Sequence, residues 1–179
     1  MIIVAETDFE SARQKYKPRV IKYLLVAEAP PMVESKHFFY FEHSQRGDSL
    51  FLETMKVLYP DDFSDTKNVR SQKPKFLERF KNDGFYLIDA TDTPMKDFPP
   101  AKKREQIEKS LPSLRNKIRD VASSETKIIL ISSTVYDATA RILKREGFNI
   151  INDCMIDFPG SGGQKKFRDK LSALLRKHG

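Results

Sequence analysis

The alternation of strand-like apolar stretches with amphipathic helical patterns predicts an α/β fold for this 179-residue chain. Four short stretches are rich in branched and aromatic residues, which is typical of buried strands. Helical patterns separate them, and strands connected through helices pair in parallel by right-handed crossovers. We therefore predict one domain over residues 1–179, a three-layer α/β/α sandwich with a four-stranded, mainly parallel central sheet.

The predicted elements follow one another in a regular order. Strands are predicted at residues 20–26, 85–90, 127–132 and 148–156. Helices are predicted where apolar residues recur three or four positions apart, at residues 8–17, 49–58, 102–121, 135–145 and 164–177. Pro112 lies inside the third of these helices and predicts a kink or a restart there. Residues 61–75 are polar and irregular and predict a loop.

The chain is basic, with a net charge of +7 and a pI near 9.4. A solvated basic surface accounts for this balance, and so does a polyanionic partner bound with release of counterions. The clustering of basic residues favours the second interpretation. Clusters occur at residues 102–104, 144–145 and 165–170.

Several classes of protein are disfavoured by the sequence. No apolar run approaches the ~20 residues that a membrane span requires, so we expect no membrane association. Residues 1–8 lack the basic flank and the long apolar run of a signal peptide. The single cysteine, Cys154, excludes an internal disulfide and fits a small core residue within the fourth predicted strand. A cytoplasmic location is therefore expected.

The loop after the first strand carries unusual side chains for a simple connection. Open α/β sheets bind ligands at the carboxyl ends of their strands, where this loop is expected to lie. It contains Glu28, Glu34, His37 and the aromatic run of residues 38–41. The run predicts either core packing or a platform on which bases stack. His37 lies six residues before His43 with no third ligand at metal spacing, so no metal site is expected.

Two further loops are predicted at the same edge. The loop after the second strand contains Asp89 and Asp92, and either side chain fits a cap for the turn before Pro94. The loop before the last helix contains the glycine-rich stretch 160–163. This stretch predicts either a flexible connection or a phosphate-binding turn at a helix start.

The short motifs in these loops resemble those of the uracil-DNA glycosylase superfamily. The first motif of one branch reads Gly-Glu-Ala-Pro-Gly-x-x-Glu, and residues 27–34 keep its two glutamates, alanine and proline at the same spacing. Phe41 falls where that family places the phenylalanine that stacks on the flipped uracil. Residues 86–90 are similar to its second strand, and residues 158–161 lie where it has His-Pro-Ser. The resemblance covers residues 20–175.

The resemblance implies a protein that binds DNA and excises a deaminated or damaged base without a metal or another cofactor. A base in a duplex must be flipped into a pocket before it can be cleaved from its sugar. Glu28 and Glu34 would stabilise the sugar cation or orient the attacking water. Base-binding residues would be Phe41, Asp89, Ala29 and Pro30. The phosphate-gripping or wedge loop would be Pro159, Gly160, Ser161, Gly162, Gly163, Gln164, Lys165 and Lys166.

The chain departs from the family pattern at four places. Phe158 replaces the histidine that hydrogen-bonds the departing uracil, and phenylalanine cannot donate a hydrogen bond. Asp89 replaces the base-reading asparagine, and Pro31 replaces a glycine. The cysteines that hold an iron–sulfur cluster in that branch are absent, so no cluster is expected. The alternative function is therefore a relative of the same fold that binds nucleic acid or a nucleotide without cleavage. An unrelated flavodoxin-like domain is a third possibility.

Overall fold

The computed structural model of the protein describes residues 4–44, 46–160 and 162–179. Three strands, seven helices and one 3₁₀ turn (Pro60–Asp62) occur in these ranges. The strands are β1 (Tyr23–Ala27), β2 (Phe85–Asp89) and β3 (Lys127–Leu130). The helices are α1 (Val4–Lys15), α2 (Ser49–Leu58), α3 (Thr66–Ser71), α4 (Lys73–Asn82), α5 (Pro100–Val121), α6 (Ser133–Arg145) and α7 (Gln164–His178).

The three strands form a parallel sheet in the order β2-β1-β3. Leu25 in the central strand pairs with Leu87 on one side and with Ile129 on the other. All three side chains are buried, as expected for a parallel sheet covered on both faces. The predicted α/β class with parallel strands is confirmed.

Helices cover both faces of this sheet. The chain passes from β1 to β2 through α2–α4, and then back across the sheet through α5 to β3. Right-handed crossovers in opposite directions place these two sets of helices on opposite faces. Helix α7 packs against α2, and α6 packs against α5, so each face carries a helix pair. The architecture is α/β/α. No helix in the described ranges combines the length and the apolar character needed to cross a membrane.

The fourth predicted strand, residues 148–156, differs from the prediction. It forms only an isolated parallel bridge, between Ile150 and Ile128, so the sheet has three strands in the described chain. At the next position, the side chain of Asn152, and not its backbone, forms the hydrogen bonds to β3. Its Oδ1 accepts a hydrogen bond from Leu130 N at 2.8 Å, and its Nδ2 donates to Leu130 O at 2.9 Å. Cys154 follows this position and is exposed, so its predicted core location is wrong.

The helix predictions agree with the structure where the pattern is apolar and differ from it where the pattern is polar. Helix α2 has the predicted bounds, Ser49–Leu58. The predicted loop at residues 61–75 is wrong, because α3 and the start of α4 lie there. Asp65 caps α3 by accepting a hydrogen bond from Asn68 N at 2.8 Å. Helix α5 runs unbroken past Pro112, which is exposed, while an apolar face buries residues before and after it.

Candidate functional site

A cleft of about 430 Å³ lies at the carboxyl edge of the sheet. The end of β1, the aromatic run, the start of α2 and the end of β2 form its walls. Lys96 and Lys103 add positive charge, and Phe158 and Gly160 close one side. Its lining is Ala27, Glu28, Ala29, Pro30, Pro31, His37, Phe38, Phe39, Gly47, Asp48, Ser49, Leu50, Phe51, Leu87, Asp89, Met95, Lys96, Lys103, Phe158 and Gly160.

Glu28 enters the cleft from the end of the central strand. Its backbone is held in place because its carbonyl oxygen accepts a hydrogen bond from Thr91 N at 3.2 Å. Pro30, which is buried, and Pro31 stiffen the chain immediately after it. Within the described residues, the half-buried Glu28 carboxylate forms no ion pair. This carboxylate is therefore available to a ligand in the cleft.

Asp89 lines the cleft at the end of β2, beside the end of β1, and is only 4% exposed. Arg13 of α1 donates a hydrogen bond from Nη2 to its Oδ2 at 3.3 Å. Burial raises the pKa of Asp89 to about 6, although Arg13 and Lys117 oppose that shift. The predicted reader of a base edge is thus an ion-paired carboxylate that titrates close to neutral pH.

Asp48 forms another part of the cleft wall, just before α2, and is 3% exposed. Arg70 of α3 forms a bidentate ion pair with Asp48, with Nε 3.0 Å from Oδ2 and Nη2 2.6 Å from Oδ1. Ser44 Oγ donates to Oδ2 at 2.9 Å. Burial raises the pKa of Asp48, but the hydrogen bonds from Arg70 and Ser44 outweigh burial and hold it below its usual value.

His37 also lines the cleft, beside Gly47. The ring approaches Gly47 so closely that a Cβ there would lie 3.1 Å from it, and the φ of Gly47 is +76°. Sequence reasoning considered His37 only as a metal ligand. The position of His37 in the loop after β1 could have indicated that it lines the cleft. The basic cluster at residues 102–104 could have indicated the same for Lys103.

Two predicted site residues lie outside the cleft. Phe41 packs against Phe9 of α1 and against Phe38, each at a ring-centroid distance of 5.3 Å. The chain is pinned just before it, because Tyr40 Oη donates to Leu87 O at 3.0 Å and accepts from Leu87 N at 2.7 Å. This anchor turns Phe41 toward α1. Glu34 is exposed and is also outside the cleft lining.

The glycine-rich loop reaches the cleft through its first residues only. Phe158 is 40% exposed, Pro159 is buried, and Gly160 lines the cleft. A Cβ on Gly163 would lie 2.3 Å from Phe158 O, so this loop is closely packed. Predicted loop residue Ser161 lies outside the described residues. Six others do not line the cleft: Pro159 is buried, Gly163 packs against Phe158, Gly162 is exposed, Gln164 begins α7, and Lys165 and Lys166 are exposed on its first turn.

Within the described ranges, no three histidine, cysteine, aspartate or glutamate side chains gather as metal ligands would. The chain matches no protein-family model, no curated protein and no solved structure. The chemical groups in the cleft therefore carry the argument about function.

Proposed function

We propose that the cleft receives a single nucleobase extruded from DNA and that the protein hydrolyses its N-glycosidic bond. The observation that carries this proposal is the Glu28 carboxylate, which forms no ion pair among the described residues, in a cleft with aromatic walls at the carboxyl edge of a parallel sheet. A cleft of about 430 Å³ is large enough for a base and part of its sugar. Lys96 and Lys103 supply positive charge for the neighbouring phosphates.

The proposed reaction breaks the bond between the base nitrogen and C1′ of the sugar. The base leaves with the bonding electron pair, and the sugar becomes cationic. Glu28 stabilises that cation and orients a water molecule, whose oxygen bonds to C1′ while its proton passes to the carboxylate. His37 hydrogen-bonds the departing base and supplies the donor that Phe158 cannot. The exposed face of Phe158 provides a stacking surface.

The resemblance of residues 27–34 to the first motif of the uracil-DNA glycosylase superfamily supports this assignment. Glu28, Ala29 and Pro30 from that motif line the cleft. Glu34 and Phe41 do not, so we assign catalysis to Glu28 alone and stacking to Phe158 in place of Phe41.

The second candidate is a protein that binds an extruded base or a nucleotide without cleaving it. The ion pair of Asp89 with Arg13 favours this function, because it engages the carboxylate that would read the base. The replacement of a histidine by Phe158 favours it as well.

The two functions are separated by incubating the protein with single- and double-stranded oligonucleotides that contain uracil, hypoxanthine or xanthine. Alkaline cleavage then reports abasic sites. We expect scission with at least one base, and a loss of roughly 10²–10⁴-fold in the single-turnover rate for Glu28→Gln. Glu34→Gln is the matched control and should retain the rate, since Glu34 is exposed outside the cleft.

Binding without scission would support the second candidate. Absence of both binding and scission by the folded protein would contradict both. Equal losses in Glu28→Gln and Glu34→Gln would contradict the assignment of catalysis to the cleft.

A further inference from the structure

A second cavity lies beside the loop that joins β1 to α2. Its lining is Lys36, His43, Ser44, Arg46, Arg70 and Ser71. Three of these residues carry permanent positive charge, and none carries a carboxylate. The two cavities are lined by neighbouring residues of one loop, because Lys36 precedes His37 of the cleft and Arg46 precedes Gly47.

A buried polar cluster lies directly beneath this second cavity. Lys73 is fully buried, and its Nζ donates to Ser44 Oγ and to Phe38 O, both at 3.3 Å. Ser44 in turn donates to Asp48, which also binds Arg70. Ser44 and Arg70 therefore belong both to the buried cluster and to the cavity wall.

The cluster contains more positive than negative charge. Lys73 and Arg70 are two cations. Asp48, bonded directly to Arg70 and linked to Lys73 through Ser44, is the one carboxylate of the cluster in the described chain. Burial lowers the pKa of Lys73, Asp48 opposes that shift and Arg70 adds to it, and the net result is a pKa of about 8. A buried positive charge in excess is stabilised by an anion nearby, and the cavity is where an anion can approach.

We infer that this second cavity binds a phosphate group, namely a phosphodiester of the DNA strand whose base enters the cleft. Lys36 and Arg46 contact the phosphate from the exposed side, and Arg70 contacts it from the wall while remaining bonded to Asp48. Arginine suits this task because its planar fork can bond an aspartate and a phosphate together. The choice of a DNA strand as the source of the phosphate rests on the proposed function.

The test measures binding alone, so it remains informative even if the protein excises no base. The probe is a fluorescein-labelled single-stranded oligonucleotide that carries a tetrahydrofuran residue in place of one nucleoside, and anisotropy gives Kd at several salt concentrations. Lys36→Ala with Arg46→Ala should weaken binding about 10-fold. The slope of log K against log salt should fall by about 1–2, because each lost phosphate contact removes ~0.7–0.9.

The matched control is Arg19→Ala with Lys22→Ala. These exposed residues precede β1, at the opposite edge of the sheet, and the change removes the same charge. We expect less than a 2-fold change in Kd. All four positions are exposed, so both variants should retain the melting temperature of the wild type.

A second arm titrates the wild type and the Lys36/Arg46 variant with inorganic phosphate, followed by amide NMR shifts of the residues around the cavity. Weak saturable binding that is lost in the variant supports the site. If inorganic phosphate binds and oligonucleotide affinity is unchanged in the variant, the cavity takes free phosphate and the assignment to a strand is overturned. Equal losses in the variant and the control would overturn the site itself.

Discussion

Two buried aspartates line the cleft and differ in how their charges are compensated. Asp48 and Asp89 are 3% and 4% exposed, and desolvation raises the pKa of both carboxylates. Asp48 accepts a fork from Arg70 and a hydroxyl from Ser44, whereas Asp89 accepts one contact of 3.3 Å from Arg13. Accordingly the pKa of Asp48 lies below its usual value, and that of Asp89 is raised to about 6.

The difference shows that burial alone does not decide the charge state of a carboxylate. Short, charge-assisted hydrogen bonds outweigh desolvation at Asp48. At Asp89 a single long contact does not. The Asp48 wall is therefore fixed and ionised, while the Asp89 wall changes charge near neutral pH.

The largest expected effect comes from removing the carboxylate of the fixed wall. Asp48→Ala leaves Arg70 without its partner and Lys73 as a buried cation without a nearby negative charge. We expect a loss of about 3 kcal/mol or more in the free energy of unfolding, measured by urea denaturation. Removing one member of a buried ion pair leaves the other charge buried without a partner.

The control for Asp48→Ala is Asp62→Ala. Asp62 pairs with Arg79, and both side chains are about half exposed. Such exposed pairs contribute about 1 kcal/mol or less, so this change should cost little. Equal losses in the two variants would mean that the Asp48 cluster is not compensated as described.

The second prediction concerns the sign of the pH dependence. The folded pKa of Asp89, about 6, exceeds the unfolded value of about 3.9, so the folded state binds more protons between these values. Stability contributed by Asp89 is therefore lost as the pH rises from about 4 to about 6. Relative to Asp89→Asn, the wild type should lose on the order of 2–3 kcal/mol over that window.

Asp48→Asn should show the opposite trend. The pKa of Asp48 is lowered by folding, so its stabilisation is present above the unfolded pKa and is lost as the pH falls. Urea midpoints of the wild type and both variants from about pH 2 to pH 7 test the pair, because the stabilisation by Asp48 is lost only below its unfolded pKa of about 3.9. Parallel curves for the two variants would contradict the contrast between the walls.

This contrast could not be derived from the sequence, although most of the fold could. Apolar periodicity located three strands and five helices, because buried faces repeat at regular intervals. Asp48, Arg70 and Lys73 come from a loop and two polar helices, and no periodicity connects them. The same holds for the pair of Arg13 with Asp89, which are 76 residues apart.

The site was predicted where it depends on strand ends and missed where it depends on packing. Glu28 and Asp89 line the cleft because the carboxyl ends of parallel strands share one edge. The direction of Phe41 depends on the hydrogen bonds of Tyr40 to β2, which no local pattern encodes. The missing fourth strand depends on one side chain, Asn152.

The third prediction concerns the hydroxyl of Ser44, which links Asp48 to Lys73. Ser44→Ala removes the hydroxyl that donates to Asp48 at 2.9 Å and accepts from Lys73 at 3.3 Å. We expect a loss of about 1 kcal/mol in the free energy of unfolding. Ser71→Ala is the control, because its hydroxyl bonds an exposed carbonyl of α3 and should contribute less than about 0.5 kcal/mol. If Ser44→Ala costs no more than Ser71→Ala, Ser44 does not link the cluster.

The smallest expected effects are shifts in the pKa of Asp89 caused by two neighbouring charges. Lys117 lowers the pKa of Asp89, and Asp92 raises it. Lys117 Nζ donates to Asp92 Oδ1 at 2.7 Å and to Asp89 O at 3.2 Å, so the two charges lie together beside the carboxylate. Lys117→Gln should raise the pKa of Asp89 and Asp92→Asn should lower it.

Each change in the pKa of Asp89 should be less than about 1 pH unit, because Asp92 is largely exposed and solvent screens the pair. Carbon-13 NMR titration of the Asp89 carboxyl measures both shifts directly. Shifts of the same sign would show that a change in the packing of α5, and not charge, determines the response of this wall.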